Sequence, residues 1–376
     1  MASRTSTGHR VAILGGGIFG VSSALHLARL GADVTLVTEG AIANGASGRS
    51  LSWLNSARRR SMEYHYLRMA GLDRYRTLAT RFPDADWLRF DGALTWDADD
   101  ATNEIAAIAQ YEHEIGYDAL LLDAADVAAV TPGVASPAIT GQGAIFNPGE
   151  GWVDLPSLIH VLLADYRALG GQVVENTGRG TVDIAGGKAK GIVTANGRRF
   201  ETDTVLVATG PWVPATLKEA GITMPDATPI SLLVKTKPVA TALRAVLNTP
   251  RVAVRPTPNG ELVLDSAWSE AEVEHYEDGT YRVKEETVQG LLREASLVLD
   301  GNPKLVFDSY GVGPKPIPAD GEPVFGPLET IENYFVAFSH SGATLGLIAG
   351  EMLAGEIATG RAHPMLAKFR PGRFAE

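Results

Sequence analysis

Three consecutive glycines, Gly15 to Gly17, lie in the sequence VAILGGGIFG near the N-terminus. The residues before them, 10–14, are mostly apolar and β-branched and predict a buried strand. The residues after them, Val21 to Leu30, have the apolar spacing of a helix, and residues 33–38 predict a second strand. A strand, a glycine turn, a helix and a second strand within about 30 residues form the unit that binds dinucleotides in α/β proteins.

The glycines of this turn have the spacing G-x-G-x-x-G. Gly15 permits the turn, Gly17 lets the backbone approach a pyrophosphate, and Gly20 lets the helix pack closely on the strand. Ile18 and Phe19 lie inside the motif, where the first amides of the helix would face the phosphates. The motif therefore predicts that these five residues contact a dinucleotide.

An acidic residue follows the second predicted strand. Glu39 lies 19 residues after Gly20. A carboxylate at this place accepts hydrogen bonds from a ribose diol and repels a 2′-phosphate. Motif, flanking elements and acid together predict dinucleotide binding. The alternative is a structural glycine turn beside a surface glutamate.

Composition argues against several other functions. The formal net charge is −11, and we interpret the basic cluster Arg58–Arg59–Arg60 as the solvated start of a helix rather than a nucleic-acid site. The chain has no cysteine, which excludes disulfides, thiolate metal sites and a thiol nucleophile and fits a cytoplasmic protein. We predict no metal site, and no membrane span because no apolar stretch reaches about 18 residues.

The rest of the sequence alternates helix and strand patterns at both ends and is rich in strand patterns in the middle. The patterns predict helices over 60–82, 101–116, 155–169, 284–299 and 345–359, a strand pair over 86–98, successive strands over 172–210 and a last strand over 334–339. We infer an α/β dinucleotide-binding domain built from discontinuous segments, with a mixed-sheet domain inserted into it.

Two distant segments indicate which dinucleotide is bound. One is the strand VLVATG, which ends in Ala208-Thr209-Gly210, and the other is YFVAFSHSGATLG at 334–346, where a strand leads into glycines at the start of a helix. A nicotinamide dehydrogenase does not need its C-terminal segment to return to the cofactor. A flavin enzyme does, because the flavin ring lies far from the first turn.

The order of GGGIFG, Glu39, GASGRS, ATGPW, PIPADGEP and FSHSGATLG resembles the D-amino-acid oxidase superfamily of FAD-dependent oxidoreductases, especially its glycine oxidase and sarcosine oxidase branch. The resemblance covers residues 10–360. It implies an α/β (α+β) fold, in which a glutathione-reductase-type, Rossmann-like FAD-binding domain carries an inserted mixed β-sheet substrate domain. The implied ranges are 1–85, 142–225 and 308–376 for FAD binding, and 86–141 and 226–307 for substrate binding.

The resemblance also implies cofactor contacts beyond the glycine turn and Glu39. They lie in the GASGRS segment, on the strand that would approach the adenine, in the ATG turn and at the start of the last helix. These residues are Ala46, Ser47, Gly48, Arg49, Ser50, Val174, Arg179, Ala208, Gly210, Gly313, Gly342, Ala343, Thr344 and Leu345. FAD would be bound non-covalently, because the chain has no cysteine and the GASGRS segment has no histidine.

Four residues are predicted to lie at the catalytic end. Trp53 and Asn55 would lie near the flavin face, and His340 precedes the segment that would face the ring. Lys315 stands in GPKPIPADG where many relatives have an arginine that binds the substrate carboxylate. A lysine is a point charge rather than a fork, so it would hold a carboxylate in looser geometry, serve another substrate group, or remain a solvated surface residue.

The activity implied is oxidation of the C–N bond of a glycine-like or N-substituted amino acid, with hydride transfer to flavin N5 followed by hydrolysis of the imine. One alternative is a D-amino-acid or secondary-amine dehydrogenase that passes electrons to a carrier rather than to oxygen. Others are a flavin-binding subunit without its own substrate and a nicotinamide dehydrogenase. The expected partners are a small amine or amino acid and oxygen or another electron acceptor. The sequence leaves the oligomeric state open.

Overall fold

A computed structural model describes residues 7–374. Its α-helices alternate with β-strands in the first and last parts of the chain, as expected for an α/β fold. The α-helices are Ile18–Arg29, Met62–Arg81, Ile105–Glu114, Val127–Val130, Leu155–Ala168, Val213–Glu219, Ala267–Ala271, Glu285–Val298 and Gly342–Thr359.

A six-stranded sheet forms the dinucleotide-binding part of the fold. Its strands, in spatial order, are Val324–Pro327, Tyr334–Phe338, Thr204–Val207, Arg10–Leu14, Asp33–Val37 and Gln172–Val174. All neighbouring pairs are parallel except the pair at the Val324–Pro327 edge. The predicted N-terminal strands are therefore adjacent and central, and the glycine turn leaves the sheet from its middle.

Two helices beside this sheet pack very closely on each other. The first helix, Ile18–Arg29, contacts the final α-helix, Gly342–Thr359, through glycines. A Cβ at Gly346 would lie 2.3 Å from Ile18 Cγ1, and a Cβ at Gly350 would lie 2.2 Å from Ser22 Oγ. This contact brings the N-termini of the two helices to the same region of the molecule.

An eight-stranded mixed sheet forms the second part of the fold. Its strands, in spatial order, are Phe307–Pro314, Ile230–Thr236, Leu262–Asp265, Ala253–Pro256, Val246–Asn248, Ala93–Thr95, Ala144–Asn147 and Leu120–Leu122. Neighbouring pairs are antiparallel, except that Val246–Asn248 and Ala93–Thr95 run parallel. Leu291 and Ala295 of the helix Glu285–Val298 are fully buried in its core with Leu264. The mixed sheet predicted from the middle of the sequence is confirmed.

Three smaller sheets complete the strand structure of the described residues. One contains Gly180–Ala185, Lys188–Thr194 and Arg199–Glu201, a second contains Trp53–Leu54, Gly151–Val153 and Leu88–Arg89, and a third contains Glu274–His275 and Tyr281–Arg282. Single turns of 3-10 helix lie at Ala46–Gly48, Ser136–Ala138 and Gly210–Trp212, and longer ones at Pro364–Phe369 and Pro371–Phe374.

The prediction of a strand pair over 86–98 is wrong, because the two strands in this range do not pair with each other. Leu88–Arg89 belongs to the small sheet with Trp53–Leu54, whereas Ala93–Thr95 belongs to the eight-stranded sheet. Gly92 separates them with φ +83°, and a Cβ there would lie 2.5 Å from the ring of Phe146. The chain therefore turns from one sheet into the other at this glycine.

Sheet membership differs from the predicted domain ranges at several places, two of which involve the eight-stranded sheet. Ala144–Asn147 falls within the range 142–225 but pairs inside the eight-stranded sheet. Phe307–Pro314 lies almost wholly within 308–376 and also belongs to that sheet. The domain ranges themselves stay a prediction.

Candidate active site

A cavity of about 790 Å³ runs between the two large sheets. Its wall includes residues of the glycine turn, the GASGRS segment, the eight-stranded sheet and the start of the final α-helix. The predicted site residues on this wall are Gly15, Gly17, Ile18, Phe19, Glu39, Ala46, Ser47, Arg49, Ser50, Trp53, Asn55, Arg179, Ala208, Gly210, Lys315, His340, Gly342, Ala343 and Thr344. The structure thus brings the predicted cofactor and catalytic segments together around one space.

The glycine turn forms one end of the cavity. Gly15 has φ +123°, and a Cβ there would lie 2.3 Å from the carbonyl oxygen of Ala208. Gly17 caps the first helix, and Ser47 Oγ accepts a hydrogen bond of 3.1 Å from the amide of Ile18. The first turn of this helix has no acidic residue. Because Gly17 and Ile18 line the cavity, the positive end of this helix faces it, which suits an anionic group such as a pyrophosphate.

Two of the predicted glycines lie behind the wall rather than on it. A Cβ at Gly20 would lie 1.9 Å from the carbonyl oxygen of Gly15, and a Cβ at Gly48 would lie 2.4 Å from that of Ala43. Both glycines let backbone segments approach each other. Their role in the site is to shape the turn, not to line the cavity.

The position of Arg49 explains why a third predicted glycine, Gly313, is not on the cavity wall. Gly313 does not line the cavity, because the Arg49 side chain lies against it, and a Cβ at Gly313 would come 2.4 Å from Arg49 Nη2. Arg49 Nη1 donates a hydrogen bond of 2.8 Å to the carbonyl oxygen of Asn44. Partial burial lowers the pKa of Arg49. Among residues 7–374 no carboxylate forms an ion pair with this guanidinium, so its charge is available to the cavity.

The outer part of the cavity contains the residues predicted for the adenosine. Glu39 lines it with an exposed side chain. Arg179 also lines it and forms an ion pair of 3.2 Å with Glu219. Val174 does not, because it ends an edge strand and its carbonyl oxygen accepts a hydrogen bond from the amide of Thr38. Of the two residues predicted near the adenine, Arg179 is therefore the one on the wall.

The inner end of the cavity meets the N-terminus of the final α-helix. Ser341 caps this helix, Gly342 begins it, and its first turn has no acidic residue. Thr344 Oγ1 lies 3.3 Å from both the carbonyl oxygen of Trp53 and the amide of Asn55. Leu345 is fully buried in the core and does not line the cavity.

A buried arginine that the sequence did not reveal holds this end together. Arg68 is 3% exposed and lines the cavity. Its Nε donates to the carbonyl oxygen of Asn55 at 2.8 Å, its Nη2 to Asn55 Oδ1 at 2.7 Å, and its Nη1 to Ser341 Oγ. No carboxylate within the described residues pairs with Arg68. Its charge therefore adds to the positive end of the helix that Ser341 caps.

Trp53 is fixed by a buried carboxyl group. Its Nε1 donates a hydrogen bond of 2.7 Å to Glu150 Oε2. Glu150 is 0% exposed and also accepts hydrogen bonds from the Tyr117 hydroxyl and the Ser56 amide. The pKa of Glu150 is raised to about 8, because burial and the nearby Glu112 carboxyl raise it by more than the hydrogen bonds lower it. Glu150 is thus mostly protonated at pH 7.

Lys315 lies at the substrate end, one residue beyond the strand Phe307–Pro314. The sequence did not predict this strand, because FDSYGVGP contains two glycines and a proline. Lys315 Nζ forms an ion pair of 2.5 Å with Glu270 Oε1. The pKa of the neighbouring Asp265 is raised to about 6, mainly by burial, with Lys315 lowering it and Glu270 raising it. The lysine is therefore not a free cation.

His340 faces the same space. Its ring is accessible from the cavity, while the surrounding protein and the charges of Lys315, Arg68 and Arg60 lower its pKa to about 4. Burial is the largest of these causes. The imidazole is therefore uncharged at neutral pH and offers one donor and one acceptor nitrogen.

The three arginines at 58–60 do not share one environment. Arg58 pairs with Asp97 at 2.5 Å and the exposed Arg59 pairs with Glu104 at 2.9 Å. Arg60 instead lines the cavity. The interpretation of the triplet as a solvated helix start is wrong for Arg60, because the chain turns inward before the helix that begins at Met62.

The family model described as "DAO: FAD dependent oxidoreductase" matches residues 10–356. The chain belongs to this family. The predicted membership, fold class, enzyme class and FAD cofactor are thereby confirmed. The absence of cysteine supports non-covalent attachment.

Individual relatives of this FAD-dependent oxidoreductase are distant. The uncharacterized oxidoreductase YurR of Bacillus subtilis is 27% identical over 223 residues, which cover 56% of this chain and only 57% of YurR. A D-amino acid dehydrogenase of Methylobacterium radiotolerans is 25% identical over 97% of this chain and 99% of its own.

Solved structures show the same fold. Glycine oxidase from Bacillus cereus has a TM-score of 0.80 and 21% identity, covering 96% of this chain and 98% of its own. Iminodiacetate oxidase from Chelativorans sp. BNC1 has a TM-score of 0.78 and 22% identity, covering 96% of this chain and 99% of its own. Across residues 7–374 no helix is long and apolar enough to cross a membrane, and no cluster of three or more potential metal ligands occurs.

The residues of this FAD-dependent oxidoreductase fit its cofactor. The glycine turn, with space that a Cβ would fill, and the first helix suit the pyrophosphate, and Glu39 suits the ribose. The start of the final α-helix and Arg68 supply positive potential at the other end of the cavity, which would stabilise the negative charge of a reduced flavin. FAD held by these residues would supply an acceptor for a hydride from the substrate.

Proposed function

We propose that this chain oxidises the C–N bond of a glycine-like or N-substituted amino acid, in the manner of glycine oxidase. The observation that carries the proposal is the inner end of the cavity. There an uncharged His340 and the Lys315–Glu270 pair lie around a space bounded by Trp53. The guanidinium groups of Arg60 and Arg68 line the same space, and neither forms an ion pair with a carboxylate among residues 7–374. Cationic groups beside a neutral imidazole suit a substrate that has a carboxylate next to an amine.

The roles of the chain's own residues follow from this arrangement. The acceptor nitrogen of His340 would bind a substrate N–H, and the cationic side chains would hold its carboxylate, so that the C–H bond is oriented. Trp53 would form a rigid wall because Glu150 holds its indole. The neutral substrate amine would give a hydride from its carbon to FAD and become an iminium ion, which would lose its N–H proton to water to give the imine. Water then adds to the imine carbon and releases an amine and a carbonyl compound.

The relatives supply the substrates for a first test. Glycine oxidase and iminodiacetate oxidase are named for carboxylated amines, and the Methylobacterium radiotolerans relative is named a D-amino acid dehydrogenase. The last name supports the alternative in which electrons leave to a carrier. Both versions require reduction of the flavin by an amine.

An anaerobic screen tests the proposal. The FAD-loaded chain is mixed with glycine, sarcosine, iminodiacetate, D-alanine and L-proline, and the flavin absorbance near ~450 nm is followed. We expect bleaching by at least one carboxylated amine. Oxygen uptake and reduction of an artificial carrier then distinguish oxidase from dehydrogenase. No bleaching by any amine would instead favour a flavin-binding subunit without its own substrate.

A further inference from the structure

Arg60 is a cation without a matching anion. Its Nη2 lies 3.4 Å from Asn55 Oδ1, which is longer than the usual N–H···O distance of about 2.7–3.2 Å. Its Nε is buried and has no hydrogen-bond partner within the described residues. No carboxylate among residues 7–374 forms an ion pair with it, although Arg58 and Arg59 both have one. A desolvated guanidinium with unused donors is costly unless a ligand satisfies it.

The position of Arg60 is fixed by an aromatic ring. Its guanidinium carbon lies 5.6 Å from the ring centroid of Tyr64, and that of Arg68 lies 5.4 Å from the same centroid. Tyr64 is buried and its hydroxyl is hydrogen-bonded to Ser341 at 2.6 Å. The cation–π contact orients Arg60 without neutralising it. Burial lowers the pKa of Arg60 to about 10, so it stays charged at neutral pH.

Two other cations at this end are already engaged, whereas Arg49, which lies against Gly313, has no carboxylate partner among residues 7–374 and is tested below as a rival. Lys315 is paired with Glu270 and lies beside Asp265, so these three groups together do not carry a net positive charge. Arg68 uses all three of its nitrogens on Asn55, Ser341 and the Tyr64 hydroxyl.

We propose that Arg60, rather than Lys315, binds the substrate carboxylate. This inference rests on the proposed function and gives it a specificity: the substrate must carry an anion close to the reacting amine, and an amine without one is a poor substrate. A guanidinium offers a planar fork to a carboxylate, which a lysine cannot. Its charge also lies close enough to His340 to disfavour protonation of that ring, so one group would hold the carboxylate near a neutral imidazole.

The first test measures binding and does not need turnover. Propionate and propionamide are titrated into the FAD-loaded chain by calorimetry at constant ionic strength. The wild-type chain should bind propionate and not propionamide. Arg60→Gln should weaken propionate binding on the order of 100-fold, as expected for loss of a charge-assisted hydrogen bond, and Arg60→Lys should recover part of it. Arg59→Gln is the matched control, because Arg59 is exposed and paired with Glu104.

The second test uses the anaerobic reduction rate. Amino acids that bleach the wild-type flavin are compared with their amides. Arg60→Gln should reduce the preference for the acid on the order of 100-fold, through a higher half-saturating concentration for the acid. Thermal unfolding and bound FAD are measured for every variant, so that a folding defect is recognised.

Distinct outcomes separate the two proposals. Arg60 is not the anchor if Arg60→Gln keeps its affinity for propionate, or if the wild-type chain binds propionate no better than propionamide. The same follows if Lys315→Met or Arg49→Gln, instead of Arg60→Gln, removes the preference for propionate over propionamide. Reduction by amino acids in the wild-type chain would then still support the proposed function. If no amine reduces the flavin but propionate binding depends on Arg60, the anion site stands and the proposed function fails.

Discussion

The indole of Trp53 donates a 2.7 Å hydrogen bond to Glu150, which is fully buried. A cavity wall is thus held by a carboxyl group whose pKa is raised to about 8 from its ordinary 4.5. The raised pKa has a consequence for stability, because the folded chain retains a proton that the unfolded chain releases.

The first prediction concerns the pH dependence of unfolding. Between about pH 4.5 and pH 8 the folded state holds more protons than the unfolded state, so the contribution of Glu150 to stability falls as the pH rises through this range. Glu150→Gln removes this ionisation and keeps a hydrogen-bond acceptor for Trp53. Its thermal midpoint should depend less on pH than that of the wild-type chain. Glu114→Gln, at an exposed glutamate, is the control, and equal pH slopes in all three chains would contradict the role of Glu150.

The second prediction concerns the glycine turn. Gly15→Ala places a Cβ 2.3 Å from a backbone oxygen at φ +123°, so we expect a loss of about 3 kcal/mol in unfolding free energy and weak FAD binding. Gly186→Ala has φ +58° but no atom within 4 Å of its Cβ, and should cost only about 1 kcal/mol. Chemical denaturation and FAD titration measure both effects. Similar costs for the two variants would show that crowding at Gly15 is unimportant.

The third prediction concerns Lys315. The Lys315 ammonium lowers the pKa of Asp265, which burial has raised. Lys315→Met removes this ammonium, so the pKa of Asp265 should rise above about 6. Because Asp265 lines the cavity, its ionisation should appear in the pH profile of anaerobic flavin reduction. That limb of the profile should shift upward in Lys315→Met and disappear in Asp265→Asn. A selective rise in KM for carboxylated substrates, with an unshifted pH profile, would show that Lys315 itself binds the carboxylate.

The fourth prediction concerns Arg68. Replacing it with Gln removes a buried charge at the start of the final α-helix, so the reduced and negatively charged flavin should lose stabilisation. A loss of about 1.4 kcal/mol lowers a two-electron potential by about 30 mV. Arg74→Gln is the control, because Arg74 joins the same two helices through Glu351 and is 40% exposed. Redox titration of the two variants should show a shift for Arg68→Gln alone, and equal shifts would indicate a general effect of helix packing.

Local sequence patterns predicted the dinucleotide-binding core well. The strands at 10–14 and 33–38 and the glycine turn are short-range features, since each depends on residues close in the chain. Helix starts were less well predicted. The first helix begins at Ile18 and the final one at Gly342, three residues earlier than expected in both cases, because glycines of the two turns already belong to the helices.

The inner site could not be predicted from such patterns because distant segments build it. Arg60 and Arg59 are neighbours in the sequence, yet only Arg60 lines the cavity. Gly313 fits a cofactor motif, but its actual contact is the side chain of Arg49, more than two hundred residues away. Glu150 gives no local signal either, because its importance comes from complete burial beside Trp53. Arg68 is a charged residue on the buried face of a helix, and this placement is the one local signal that indicates a site residue.

Anaerobic reduction of the FAD-loaded chain tests the central claim most directly. On mixing with glycine, sarcosine or iminodiacetate, the absorbance near ~450 nm should fall in the wild-type chain, and Arg60→Gln should need a far higher concentration of the same amine. The account is contradicted if no carboxylated amine lowers this absorbance although dithionite still reduces the bound flavin.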